Sequence, residues 1–169
     1  MPKLARRYLG IDPGLSGGIV VVADKECIFQ QPMPRSDIDL LEVLRTCKEY
    51  YNVKFCVLEL VSSMPGEGHK GAFTFGRGIG KLEMGLTAVQ MPYEQITPRT
   101  WQKGLGIKSK DKTESKPQFK ERLRCKSQEL FPSLSLWYEP NTLGKQRAIC
   151  DALLIAEYCR RKQEGLLNA

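Results

Sequence analysis

Residues 8–30 read YLGIDPGLSGGIVVVADKECIFQ. Three short runs rich in Ile, Val and Phe, namely YLGID (8–12), GIVVVA (18–23) and ECIFQ (26–30), are joined by Gly-rich or charged turns. That is the pattern of an antiparallel meander. In the first run side chains alternate between two faces, so Tyr8, Gly10 and Asp12 share one face while Leu9 and Ile11 share the other. An acid therefore closes a strand on a face that otherwise holds apolar or small residues.

Downstream, Ile38, Leu41, Leu44 and Cys47/Lys48 recur at helical spacing over 38–50. KFCVLEL (54–60) is an apolar run too short for a stable helix and reads as a strand buried on both faces. Between Gly71 and Gln90, Ile79, Leu82, Met84/Gly85, Leu86 and Val89 predict a helix whose first turns are loosened by Gly76, Gly78 and Gly80. YEQI (93–96) reads as a further strand, and Thr97-Pro98 as the N-cap and first position of a short helix through Trp101. The lysine-rich segment 103–120 predicts a mobile loop entering a helix that ends near Phe131-Pro132. Ile149, Ala152, Leu153, Ala156 and Cys159 give one face of a last helix, about 146–162. Strands first and helices interleaved later describe one α/β domain over 1–169, with a mixed sheet flanked by helices.

The chain has 169 residues, 41% of them hydrophobic, and a net charge of +7, which favours a polyanionic partner. Charge does not separate DNA from RNA or an anionic membrane. The longest apolar stretch, around Ile19–Ala23, falls far short of the roughly 20 residues of a membrane span. The N-terminus lacks the apolar core of a secretory signal, so a soluble chain is expected, cytoplasmic or virus-encoded in a host cytoplasm, or organellar if a leader has been removed. Of six cysteines none sits in a CxxC pair, and His69 is the single histidine. Structural zinc is thereby disfavoured, and a reducing compartment is expected.

Three carboxylates intrude into apolar elements. Asp12 closes the first strand; Glu59 lies near the end of FCVLEL, on one face with Phe55 and Val57; Asp151 interrupts AICDALLIAEY on a helix face shared with Arg147, Ala148, Leu154 and Ile155. An unpaired buried carboxylate costs several kcal/mol, so each needs a partner cation. Arg147, four residues before Asp151, is one candidate bridge. If the three elements pack together, the acids converge on one or two divalent ions, the arrangement that hydrolyses phosphodiesters. Each acid alone is more often a satisfied, partly buried side chain; it is the three in one pattern that point to a site.

The motifs LGIDPGLSGGIVVV (9–22), VLELVSSMPGEGHKGAFTFGRGIGKLEMGL (57–86), ITPRTWQKGL (96–105) and DALLIAEYCRR (151–161) together resemble the RuvC family of Holliday junction resolvases, in the style of its phage and organellar branch. The resemblance spans nearly the whole chain in order. It implies an RNase H-like fold with a mixed five-stranded sheet, a homodimer, and paired nicks in four-way DNA junctions with Mg²⁺ or Mn²⁺ and no small-molecule cofactor. It assigns Asp12, Glu59 and Asp151 as the catalytic, metal-binding acids. The family carries one more acid or histidine three or four positions before the last aspartate, where this chain has Ala148 and Arg147. Two readings follow: another group completes the shell, or the chain binds junctions and cuts them weakly.

Cations interleave with aromatics after Glu59, at Lys70, Phe73, Phe75, Arg77 and Lys81, a composition suited to gripping phosphates while a ring stacks on a base. The resemblance nominates Phe73 and Phe75 as wedge or stacking residues; ordinary core packing is the alternative. His69 beside them reads as a solvated loop residue or a proton shuttle. Arg99, Lys103, Lys108, Lys110, Lys112 and Lys116 form a basic run placed to follow a duplex arm, or simply a solvated face. The apolar face of 79–89 is the expected dimer surface, by family analogy. A phosphotransferase built on the DPGLSGG hairpin is disfavoured, because the chain is too short for two lobes.

Overall fold

The computed structural model describes residues 5–61, 68–133 and 143–167, with 143–148 described by their backbone alone. The meander forms as read: β1 (Arg7–Asp12), β2 (Gly18–Ala23) and β3 (Glu26–Pro32) pair antiparallel in sequence order, with a register shift between Val21 and Val22. β4 (Phe55–Glu59) then pairs parallel with β1, and β5 (Tyr93–Ile96) pairs parallel with β4. The five-stranded mixed sheet has the order β3-β2-β1-β4-β5. β1 and β4 are therefore central, which explains their burial on both faces.

Helices cover both faces. α1 (Asp37–Glu49) and α2 (His69–Ala88) lie over Leu9, Ile11, Ile19, Val21, Cys56 and Leu58. α3 (Pro98–Gly104), α4 (Lys116–Leu130) and α5 (Leu143–Gln163) lie over Tyr8, Val20, Val22 and Val57. The period-2 split of Tyr8 from Leu9 and Ile11 is thus the split between two cores. Ser36 caps α1 and Thr97 caps α3, with Pro98 in its first turn. Ser115 and Gln118 form a reciprocal capping box on α4, satisfying two donors that a helix start leaves unpaired.

α2 is continuous from His69, through the glycines expected to loosen it. Its apolar face is largely used within the chain, because Leu82 and Leu86 are buried in the α1-side core. The expected dimer surface over 79–89 is to that extent already covered, leaving Met84, 67% exposed, on the outer side.

α5 rests directly on the sheet, and Gly10 is what lets it. A Cβ at residue 10 would lie 2.2 Å from the Ala156 nitrogen and 2.3 Å from the Ala152 carbonyl oxygen, so no side chain fits between β1 and this helix. All six cysteines are free thiols, and Cys47, Cys56, Cys150 and Cys159 are buried. No described helix is long and apolar enough to cross a membrane.

Candidate active site

β1 and β4 run parallel as neighbours, with Ile11 opposite Leu58, and Asp12 and Glu59 are the last residues of the two strands. Parallel pairing therefore delivers both carboxylates to the same edge of the sheet, on the α5 side. The close approach at Gly10 brings the turn of α5 containing Asp151 over that edge. The three acids line one cleft of about 730 Å³, together with Phe75, Trp101, Lys116, Phe119 and Lys120.

Glu59 and Asp151 are 8% and 7% exposed, so their charges need partners. The Trp101 indole Nε1 donates to Glu59 Oε1 at 2.8 Å, fixing that carboxylate from α3. The Lys120 ammonium, from α4, bridges Asp151 Oδ2. The partner cation required by the sequence is therefore Lys120. Arg147, the candidate read from helical spacing, has its side chain outside the described residues, as does Ala148.

The electrostatics are those of crowded like charges. Burial, then the charges of Asp151 and Glu59, push the Asp12 carboxyl up to about 9. Burial also raises Glu59, against the Trp101 hydrogen bond and the Lys120 charge, and raises Asp151 against Lys120. Lys120 is itself held above its usual value, because the three carboxylates outweigh its desolvation.

Asp151 Oδ1 is buried with no hydrogen-bond partner among the described residues. Three crowded carboxylates, one with an orphaned oxygen, are an all-oxygen donor set of the kind hard divalent cations take. Among the described residues no three acid, imidazole or thiolate groups stand in a ready-made cage; on the Asp151 side the cation is the Lys120 ammonium. The residues fit a divalent ion in their chemistry and require Lys120 to yield or share Asp151 when it binds.

The nominated DNA contacts divide. Phe75 lines the cleft and packs over the Pro13-Gly14 turn, with its ring 3.6 Å from where a Cβ on Gly14 would be. Phe73 is 73% exposed, so core packing is excluded for it. Lys70, Arg77, Arg99, Lys103, Lys108, Lys110 and Lys112 are exposed. Lys81 is instead engaged with Asp37 of α1 at 2.5 Å. His69 is exposed at the first position of α2 and is not among the cleft-lining described residues. Residues 62–67 of the motif after Glu59 lie outside the described residues.

Sequence reasoning missed Lys120 and the role of Trp101. Lys120 was legible in principle: it falls on the α4 stripe of Phe119, Leu123 and Ser127, where Leu123 and Ser127 are buried, and a lysine on a buried stripe calls for an acid partner.

The site thus stands on a mixed five-stranded sheet, with carboxylates at the ends of two central parallel strands and on the helix that crosses them. No protein-family model and no curated protein sequence matches the chain. Its fold is that of the RuvC-type Holliday junction resolvases. The Thermus thermophilus RuvC in complex with a Holliday junction substrate superposes at a TM-score of 0.60, with 14% identity over 95% of this chain and 97% of that one. The yeast mitochondrial Holliday junction resolvase gives 0.59, with 19% identity over 96% and 80%. The fowlpox virus Holliday junction resolvase gives 0.56, with 11% identity over 95% and 99%.

Proposed function

We propose that this protein is a structure-specific endodeoxyribonuclease that cuts four-way DNA junctions by hydrolysis. The observation that supports it best is the convergence of Asp12, Glu59 and Asp151 from three separate elements into one cleft of a basic chain with the resolvase fold. In this reading the three acids hold Mg²⁺ or Mn²⁺, which supplies Lewis-acid stabilisation of the phosphate and activation of water.

The chain's own residues do the rest. Trp101 holds Glu59 in place through one carboxylate oxygen, where the residue lines the cleft. Lys120 neutralises part of the carboxylate cluster until substrate arrives, and its ammonium is then placed to donate to a phosphate oxygen. Lys116, at the cleft mouth, meets the next phosphate, and Phe75 gives the cleft an apolar wall against which a sugar or base packs. Water attacks phosphorus as the bond to one sugar oxygen breaks, so no covalent intermediate with a side chain is required. Two copies related by a twofold axis would address opposing strands.

The test is incubation with a labelled four-way junction and a matched linear duplex, with Mg²⁺ or Mn²⁺, beside Glu59→Gln. Paired nicks in the junction alone, absent from the variant, are expected. Tight junction binding without nicks would establish the second reading, a junction-binding protein, which the Lys120 bridge to Asp151 favours.

The basic loop makes its own prediction. Each phosphate contact contributes about −0.9 to the slope of log K against log salt. Changing Lys108, Lys110 and Lys112 together to Ala is expected to flatten that slope by about 2 to 3 in a titration with junction DNA. An unchanged slope removes the loop from the interface.

A further inference from the structure

The segment between α3 and α4, expected from composition to be a mobile loop, is braced across its middle. At its start the Ile107 side chain is buried, and its backbone N–H donates to the Gln102 carbonyl at 2.8 Å, around Gly106 at φ +71°. At its end Asp111 Oδ1 accepts from both the backbone N–H and the hydroxyl of Thr113, at 2.5 Å each. Between them reaches Arg122 of α4. Its Nε and Nη2 donate to the two Glu114 carboxylate oxygens at 2.8 and 2.9 Å, while Nη1 and Nη2 both donate to the Lys108 carbonyl oxygen at 3.2 Å. The guanidinium also stacks 5.0 Å from the Phe119 ring centroid.

One side chain thus ties the two ends of the loop to the helix that carries Lys120. A guanidinium can do this because its planar fork offers five fixed donors; an ammonium cannot. What the clasp holds in place is Lys108, Lys110 and Lys112, all exposed, and none of them in an ion pair among the described residues. The helices at its two ends line the carboxylate cleft through Gln102 and Lys116, so the loop leaves the cleft wall and returns to it.

We propose that Glu114 and Arg122 are positioning residues that preorganise this lysine triplet to receive the sugar-phosphate backbone of one duplex arm beside the scissile strand. The inference rests on the junction-cleaving reading of the site. Glu114 contributes no attraction for DNA of its own and acts through the loop. Holding the lysines before binding removes the ordering cost that a free loop would meet on contact.

The charge of Glu114 makes the test decisive. Glu114→Gln removes a negative charge, so electrostatics alone gives tighter binding, whereas loss of the clasp gives weaker binding. The measurement is anisotropy of a labelled four-way junction at about 0.1 M salt, in an Asp12→Asn background so that the substrate stays intact. Glu114→Gln is expected to weaken binding roughly fivefold. Arg122→Lys, which keeps the charge and loses the fork, should shift it in the same direction. With Lys108, Lys110 and Lys112 already changed to Ala, Glu114→Gln should have no further effect, a result that a general loss of structure would not give. Binding by Glu114→Gln as tight as the parent, or tighter, overturns the proposal while leaving the junction reading intact. Failure of the parent to bind any DNA overturns both.

Discussion

Asp12→Asn is expected to lower junction cleavage by about a thousandfold or more, equivalent to roughly 4 kcal/mol of transition-state stabilisation, and at the same time to make the protein more stable at neutral pH. The two effects share one cause. Asp12 shares one cleft with Asp151 and Glu59, and its carboxyl is pushed up to about 9 by burial and by those charges. Asparagine keeps the shape and removes the charge. A thermal melt at pH 7.5 without divalent ions should show the variant above the wild type; a lower melting temperature would mean that Asp12 is held by interactions other than the crowding described.

The sign of the pH dependence follows. A carboxyl whose folded value lies above its unfolded value of 3.8 binds more protons in the folded state. Its contribution to stability is then fully present below the unfolded value and is lost as pH rises through the folded one. Without divalent ions the wild type should lose stability progressively between about pH 4 and pH 9, and the gap from Asp12→Asn should close at the acid end. Mg²⁺ should raise the wild-type melting temperature more at pH 8 than at pH 6, because proton and metal compete for the same oxygens. A metal effect that is equal at both values would count against the carboxylate site.

The second large effect is steric. Gly10→Ala would place a methyl group 2.2 Å from the Ala156 nitrogen and 2.3 Å from the Ala152 oxygen, and both obstacles are backbone. No rotamer change relieves the clash, so either β1 bends or α5 lifts. The expected cost is about 3 kcal/mol or more, a fall in melting temperature of roughly 6–12 °C for a chain of this size. Any lift of α5 carries Asp151 away from Asp12, so cleavage should fall further than stability alone explains. Gly76→Ala and Gly80→Ala supply the contrast: nothing lies within 4 Å of a Cβ at either position, and each should stabilise α2 by up to about 1 kcal/mol. If all three variants melt alike, the close approach of α5 to β1 is not what holds the site.

Much of this was legible in the sequence, because it depends on local periodicity. Two-residue alternation placed Asp12 with Tyr8 and Glu59 with Val57, and those faces are the ones that meet beneath α5. Helical spacing likewise found the apolar face of α5. The rest depends on side chains brought together from distant positions, which periodicity does not encode. Lys120 lies 31 residues before its partner Asp151, in a helix with two other lysines, Lys116 and Lys126, and only the fold singles it out. The loop over 105–115 is polar and lysine-rich, so composition describes it as loose; its order comes from the buried Ile107, the Asp111–Thr113 turn and the reach of Arg122 from α4. Over 79–89 the apolar stripe says only that something covers it: Leu82 and Leu86 are covered by α1 and the sheet of the same chain, while Met84 stays exposed on the outer side.

The contact between β1 and α5 also sets the order in which the carboxylate cleft is assembled. Asp12 belongs to the first strand and Asp151 to the last helix, so the cleft is a contact of very long sequence separation, a kind that closes late because the intervening chain must first be ordered. The strands can pair and α1 and α2 can cover their face of the sheet before α5 docks, but no partial structure lacking that helix has three carboxylates together. During synthesis the chain would therefore emerge with its carboxylate cleft unassembled, and on the proposed function its chemistry would switch on in the same step that buries the second core.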